Sequence, residues 1–451
     1  MTWIKKGITA LFAAALLVNT AQAVQLNPGG LGEVLIYPYY TVRQGEDGSV
    51  YNTLLSVTND NGWAKAIKVH IREGQQGKIV VSFNLFLPSH DVWTAALTPD
   101  GDGLKITTYD TSCTAPSFQT ASFFKPHGDE NNDSRVQEGY IEMIEMGTVS
   151  GEAVSMFTHR QDVNGYWIPA DCVQGAEIVS EHMQENKGGL FGSATLINVQ
   201  SGLAFTATAV ALYKFAKPGT ALGYTPPESD KPDMTSAHPI SIVPGNDDDA
   251  LLISEWDEGT ADAVAAALMV HEWSSEYILE SATSSKTTWI GTLPLFYTLN
   301  MEYPSYRILK RMYGREEQSV MSPGWTMPAP PPDLLTAASN SIPVSSASEG
   351  GDLFFSKNTT PFFTRYDAGY TVLRHGTTAD QILKNLGKTK IIRNDGTVSE
   401  NQTVAYYGIP LVGFAAHTYT NAGIELPDGK IGRSIYGVMQ PYHYRTEYTK
   451  E

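Results

Sequence analysis

The chain has 451 residues, with 31 basic and 48 acidic side chains and a formal net charge of −17. That sign argues against a nucleic-acid partner, whose phosphates need a basic face, and favours a self-repelling surface or one that recruits divalent cations. With 23 Tyr, 40 Gly and 25 Pro, the composition leans toward strands and turns.

Residues 1–23 read as a signal peptide. Lys5 and Lys6 form a positive start, Ile8 to Val18 is apolar except for Thr9, and Ala21-Gln22-Ala23 is a small-x-small cleavage box. The apolar core is about half the roughly 20 residues of a membrane-spanning helix. An uncleaved anchor is the alternative, but no cysteine follows the box as a lipid site. Cleavage before Val24 takes two lysines away and leaves a charge of −19. No later stretch approaches 18 consecutive apolar residues, so no transmembrane helix is expected in the mature chain. The expected location is outside the cytoplasm: periplasm, cell surface or medium.

Residues 24–216 read as a β-sandwich region. After a glycine-rich lead, Glu33 to Val42 (EVLIYPYYTV) is a strand, and Pro38 suggests that it lies at a sheet edge. Such an edge is a template for a second chain; the simpler alternative is the first strand of the sandwich. Thr53 to Val57 and Ala64 to Ile71 flank the turn Asn59-Asp60-Asn61-Gly62 and predict a hairpin. Ile79 to Leu87, Val92 to Thr98, Gly139 to Met146, Ser193 to Val199 and Ala204 to Phe215 follow as strands. The run SATLINVQSGLAFTATAVAL echoes TLLSVTNDNGWAKAIKVHI, as a repeated hairpin would. Cys113 and Cys172 are the two cysteines, and in an exported chain they predict a disulfide. Closing a loop of about 60 residues corresponds to roughly 4 kcal/mol by chain entropy. Free or metal-binding thiols are the alternative, but two distant cysteines are too few for a zinc site without nearby histidines.

Residues 217–249 hold six prolines and few aliphatic side chains, as a linker or long loop would. Residues 250–451 read as a second β-rich region with one helix near 260–278. There Ala263, Ala266, Val270, Trp273 and Tyr277 recur at spacings of three and four. A further break spans Ser322 to Asp333. Strands are expected near Pro361 to Leu373, Thr403 to Thr420 and Ser434 to Tyr444, and a short helix near Thr378 to Leu386. The fold class that follows is mainly β: antiparallel, immunoglobulin-like β-sandwich domains with a few short helices.

The search for chemistry assigns no catalytic residue. His271-Glu272 opens like a zinc-protease helix, but Ser275 stands where the second histidine belongs. Gly192-Ser193-Ala194 lacks the glycines of a nucleophile elbow. Glu142 and Glu145, three apart on a strand, point to opposite faces, whereas a glycosidase pair must face one sugar. The one cofactor expectation is structural calcium at Asp129, Asn131 and Asp133, which supply oxygens at positions 1, 3 and 5 of a loop. Ser134 and Tyr140 replace the glycine and glutamate of a full EF-hand. Asp100 with Asp102, and Asp247 to Asp249, are further acidic turns.

Several long blocks are more specific than these motifs. They are GGLGEVLIYPYYTVRQG (Gly29 to Gly45), FNLFLPSHDVWTAALT, EGYIEMIEMGTVSG, GGLFGSATLINV, YGIPLVGFAAHTYTN and YGVMQPYHYRTEY. Together they resemble a family of uncharacterised exported proteins of Gram-negative bacteria. The resemblance implies export and a shared β-rich fold, and brings no catalytic residue with it. The leading expectation is an exported, non-enzymatic cell-surface or extracellular protein, structural or interacting, that assembles with itself or binds surface glycan. The alternative is a secreted polysaccharide-binding protein or hydrolase.

Overall fold

The computed structural model describes residues 23–129, 134–246, 250–298, 308–316, 319–321, 335–346, 351–375, 382–425 and 431–450. Residues 1–22, the bulk of the expected signal peptide, lie outside them, as do 247–249 and the proline-rich part of the 322–333 break.

In chain order the main N-terminal elements are β1 (Val34–Thr41), β2 (Tyr51–Asn59), β3 (Ala64–Glu73), β4 (Ile79–Leu87), β5 (Val92–Asp100) and β6 (Glu138–Val149). The helices α1 (Gly151–Phe157) and α2 (Cys172–Ile178) follow, then β7 (Leu190–Asn198), β8 (Leu203–Thr208) and β9 (Val210–Tyr213). Among the described residues β9, β1, β6, β3 and β4 lie side by side in an eight-stranded sheet. A six-stranded sheet runs β8, β7, β2, β5 and continues through Gly103–Thr107 and Thr120–Phe123. The two enclose one core, with Ile67, Val69, Ile71, Phe83 and Met143 from the first and Leu55, Val57, Trp93 and Leu97 from the second. The expected antiparallel sandwich with few short helices is therefore present. Its two sheets are larger than the seven to nine strands of an immunoglobulin domain.

Several local expectations are corrected. Strands β2 and β3 do not form a hairpin, because they belong to different sheets. Residues 60–63 form an arch, held where Asn59 Nδ2 donates to the carbonyls of Trp63 and Pro88, each at 2.7 Å. The echo is a true hairpin only in its second copy, β7–β8, and β7 pairs in full register with β2. Strand β1 is central, not an edge: β9 flanks it on one side and β6 on the other. Pro38 is tolerated there because it falls where the register shifts between Tyr37↔Ile141 and Tyr40↔Gly139. A proline in a sheet needs such a gap in the ladder.

Residues 217–246 pack against the sandwich as a strap. The outer side of β3 and β4 presents donors, and the strap answers with carbonyls. Lys68 Nζ donates to Pro226 O at 2.6 Å, His70 Nε2 meets Pro232 O at 3.0 Å, and Asn84 Nδ2 donates to Thr225 O at 2.9 Å. Prolines lack the N–H that a ladder requires but keep the acceptor, which suits them to this one-way pairing. Burial pushes the His70 pKa down to about 3, so the ring is neutral and carries its proton toward that carbonyl. Met234 is fully buried, and Ile240–Pro244 is a strand.

The second region begins with the strand Ala250–Glu255, and α3 (Asp262–Ala267) after it is far shorter than the helix expected near 260–278. Glu272–Ile278 is strand β10, paired along its length with β13 (Ala368–His375). Trp273 and Tyr277 are four apart, a spacing that fits a helical stripe and also one face of a strand. Ile382–Arg393 is likewise a strand where a short helix was expected, and residues 376–381 lie outside the described residues. Between them in sequence lie β11 (Lys286–Thr292) and β12 (Ile308–Gly314), and β14 (Val412–Glu425) follows. The two β-rich regions share cores. Val24, Ile36, Ile144 and Phe215 pack with Leu252, Val264 and Leu268, and Tyr39, Tyr51 and Phe205 pack with Ile290, Phe354 and Phe414.

The Cys113–Cys172 disulfide is present, with a Cα separation of 5.4 Å. It ties the sheet border at Cys113–Ala115 to the first turn of α2, whose N-terminus Asp171 caps by accepting from the backbone N–H groups of Val173 and Gln174. Among the described residues no helix is long and apolar enough to cross a membrane.

Candidate functional site

Strand β6 carries three glutamates, and each meets a cation from another strand or its flank. Glu138 pairs with Arg43 at 3.0 Å, Glu142 with Arg72 at 2.8 Å, and Glu145 with Lys65 at 2.8 Å. All six side chains are almost wholly buried. Glu142 lies across from His70 and Glu145 across from Ile67; His70 bonds the strap and Ile67 enters the sandwich core. The two carboxylates thus face opposite sides of the sheet and do not meet one substrate.

Next to Glu145 lies Glu33, 6% exposed, whose Oε2 accepts from the Ala216 N–H at 2.7 Å. It opens onto a polar cavity of about 210 Å³ rimmed by Lys187, Lys214 and Lys217. Burial, opposed by the Ala216 N–H and reinforced by the Glu145 charge, pushes its pKa from 4.5 up to about 7. The folded protein therefore holds this proton where the unfolded chain has lost it. Stability from this group is complete below pH 4.5, falls as pH rises toward 7, and is lost above it. The interval corresponds to about 3 kcal/mol. Glu33→Gln, whose amide oxygen still accepts from Ala216, is expected to be the more stable form at pH 8 by about that amount and equal to the parent at pH 4.5. Urea midpoints at the two pH values check this, and a parent with no fall in stability between them refutes it.

The expected calcium ligands are not brought together by what is described. Asp129 pairs with Arg135 at 2.7 Å and Lys78 at 3.3 Å, so its carboxylate is engaged by two cations. Asn131 and Asp133 lie outside the described residues. His271 Nε2 sits 2.7 Å from Glu447 and 2.8 Å from Arg374 Nε, inside an ion-pair cluster.

The outward feature that stands apart is on a five-stranded sheet in which β12, β13, β10 and His443–Arg445 run side by side. Tyr313 of β12 faces Tyr370 of β13, and Tyr370 faces Glu276 of β10, forming one row across three strands. The two rings are parallel within 9°, with centroids 4.6 Å apart. Such a pair contributes about 0.5–1.5 kcal/mol, yet Tyr370 remains 44% exposed and Glu276 is exposed. Arg315 stands one step beyond Tyr313 on the same face, ion-paired with Glu280. Gly314 and Gly369 face each other beside the rings. A Cβ at Gly369 would come within 1.8 Å of the Tyr313 carbonyl oxygen, so only glycine lets the strands approach here. Together these six residues, Glu276, Tyr313, Gly314, Arg315, Gly369 and Tyr370, line an open depression of about 410 Å³.

Comparison with family models, curated proteins and solved structures finds no match. The chemistry must therefore be read from the side chains themselves. A ring face, a carboxylate and a guanidinium around a shallow depression can hold an amphipathic ligand. The sequence raised surface glycan as an expected partner but assigned it no residue, and this row was not found. Tyr313, Tyr370 and Glu276 are neighbours only through strand register.

Proposed function

We propose that the chain is an exported, non-enzymatic interaction protein acting at the cell surface or outside the cell. The observation that carries this reading is a division of labour among the side chains. The glutamates of β6 are withdrawn into buried ion pairs, while aromatic rings are turned outward. Besides Tyr370, Tyr109, Tyr166 and Trp167 are 92%, 69% and 60% exposed. Tyr166 and Trp167 belong to the hairpin His159–Gln161/Trp167–Pro169, next to the disulfide-tied α2. Exposed rings of this kind suit partner or ligand contacts. The leader-like residues 1–23 and the resemblance to exported proteins of Gram-negative bacteria support export. Assembly through β1 is not part of the proposal, since that strand is interior. Incubating the purified mature chain with a panel of polysaccharide, ester and peptide substrates is expected to give no product. Robust turnover of any one of them would overturn the non-enzymatic reading.

A further inference from the structure

We infer that the row Tyr313–Tyr370–Glu276, with Arg315, is a subsite for a pyranose ring of a polysaccharide; the inference rests on the interaction reading above. A pyranose is amphipathic in a particular way, with an apolar C–H face and a rim of hydroxyls that both donate and accept. Its receptor needs an exposed ring face with charged hydrogen-bonding groups at the ring's edge.

The strand order supplies that arrangement. Tyr313 covers one face of Tyr370, because the rings stack at 4.6 Å. The other face of Tyr370 looks toward the next strand, where Glu276 stands opposite it. A sugar laid on that face has the Glu276 carboxylate within reach as a hydroxyl acceptor. Arg315, beyond Tyr313, offers guanidinium donors whose direction is set by Glu280. The stack with Tyr313 holds the Tyr370 ring before any ligand arrives. Less side-chain freedom is then lost on binding.

The shape agrees with a polymer. The depression, about 410 Å³, lies near the lower end of ligand-pocket volumes. It is open, so a chain can continue past it on either side. Two rows along the same face, one row alternates in sign, with Arg374 beside Glu272 and Glu272 beside Arg445. Such a mixed rim suits hydroxyls, which satisfy carboxylates and guanidiniums equally, better than it suits a ligand of one charge.

The test is electrophoresis of the folded mature chain in native gels containing hydroxyethyl cellulose, laminarin, dextran or alginate. At least one neutral glucan is expected to retard the parent protein. Tyr370→Ala should weaken that retardation at least about tenfold, as loss of a central aromatic anchor does, and Glu276→Gln severalfold. Tyr370→Phe keeps the ring and should bind like the parent, which separates loss of the platform from loss of the fold. Tyr436→Ala removes an exposed ring outside the row and should change nothing. Undiminished binding by Tyr370→Ala overturns this subsite and leaves the interaction reading standing. Retardation by alginate alone overturns the neutral-sugar assignment. If no polysaccharide retards the parent, the glycan inference falls, while the turnover panel tests the broader reading separately.

Discussion

Deleting Val24 to Val42 is expected to leave a chain that does not fold. Those residues include β1, all eight of whose side chains are buried between β9 and β6. They feed three cores at once: Val34 and Ile36 enter one, Leu35, Tyr37, Tyr40 and Val42 a second, and Tyr39 a third. At about 1.5–3 kcal/mol for each large apolar side chain, these seven contribute roughly 10–20 kcal/mol. A domain's whole net stability is about 5–15 kcal/mol. The lead before β1 is also committed. Val24 N donates to Ile240 O at 2.8 Å, and Ile242 N to Val24 O at 2.9 Å, so the start of the described chain is bonded to the strap's strand. The deletion also removes Glu33, which accepts from the Ala216 N–H, and Tyr39, whose hydroxyl donates to Glu138 at 2.8 Å. Circular dichroism and size exclusion of the truncated protein check this. A truncated monomer that melts cooperatively would show that β1 is dispensable, and would return it to the role of an assembly strand.

Period-two alternation was enough to find most strands, because a half-buried strand writes its burial into its sequence. Tyr51, Thr53, Leu55, Val57 and Asn59 are buried along β2, and that pattern was legible. Partnering was less so. The Asn-Gly turn after β2 has the composition of a hairpin, but the choice between hairpin and arch is made by distant residues, here Pro88, whose carbonyl holds Asn59. Strand β3 is buried on both faces although it carries Lys65, Lys68, His70 and Arg72. Nothing local announces that a proline-rich segment more than 150 residues later will cover Lys68 and His70. The stripe at 263–277 failed for another reason: spacings of four satisfy both periods, so Trp273 and Tyr277 could not arbitrate. The opposite orientations of Glu142 and Glu145 followed from strand parity alone, and the disulfide from two cysteines in an exported-looking chain. The row at Tyr370 needed the registers β12–β13 and β13–β10, which pair residues from 57 to 94 positions apart.

Replacing Lys65 by Met is expected to cost about 3–5 kcal/mol at pH 8, the usual consequence of leaving one member of a buried ion pair alone. Lys65 and Glu145 are both wholly buried, with Nζ 2.8 Å from Oε1. Burial pushes the Glu145 carboxyl upward in pKa, and Lys65 is the largest opposing influence, followed by the backbone N–H groups of Lys187 and Gly188. Those donors, at 3.0 and 2.9 Å, come from a tight turn in which Gly188 and Gly189 take φ of +62° and +84°. They bring two partial charges where the lysine brings a full one, and Glu33 stands nearby to repel. Without Lys65 the carboxyl is expected to keep its proton in the folded state well above its ordinary range. The sign of the pH dependence follows. The unfolded chain releases that proton near pH 4.5 and the folded variant does not, so the variant's stability falls as pH rises above 4.5. Its deficit should therefore be small near pH 4.5 and large at pH 8. Adding Glu145→Leu to Lys65→Met removes the stranded carboxyl and should recover most of the loss, because an apolar pair of similar volume replaces a buried ion pair at little or no cost. Denaturant midpoints of the parent, the single and the double variant at both pH values decide the matter. A single variant equally weakened at pH 4.5 and pH 8 would mean that Lys65 acts through packing of its stem, not through its charge.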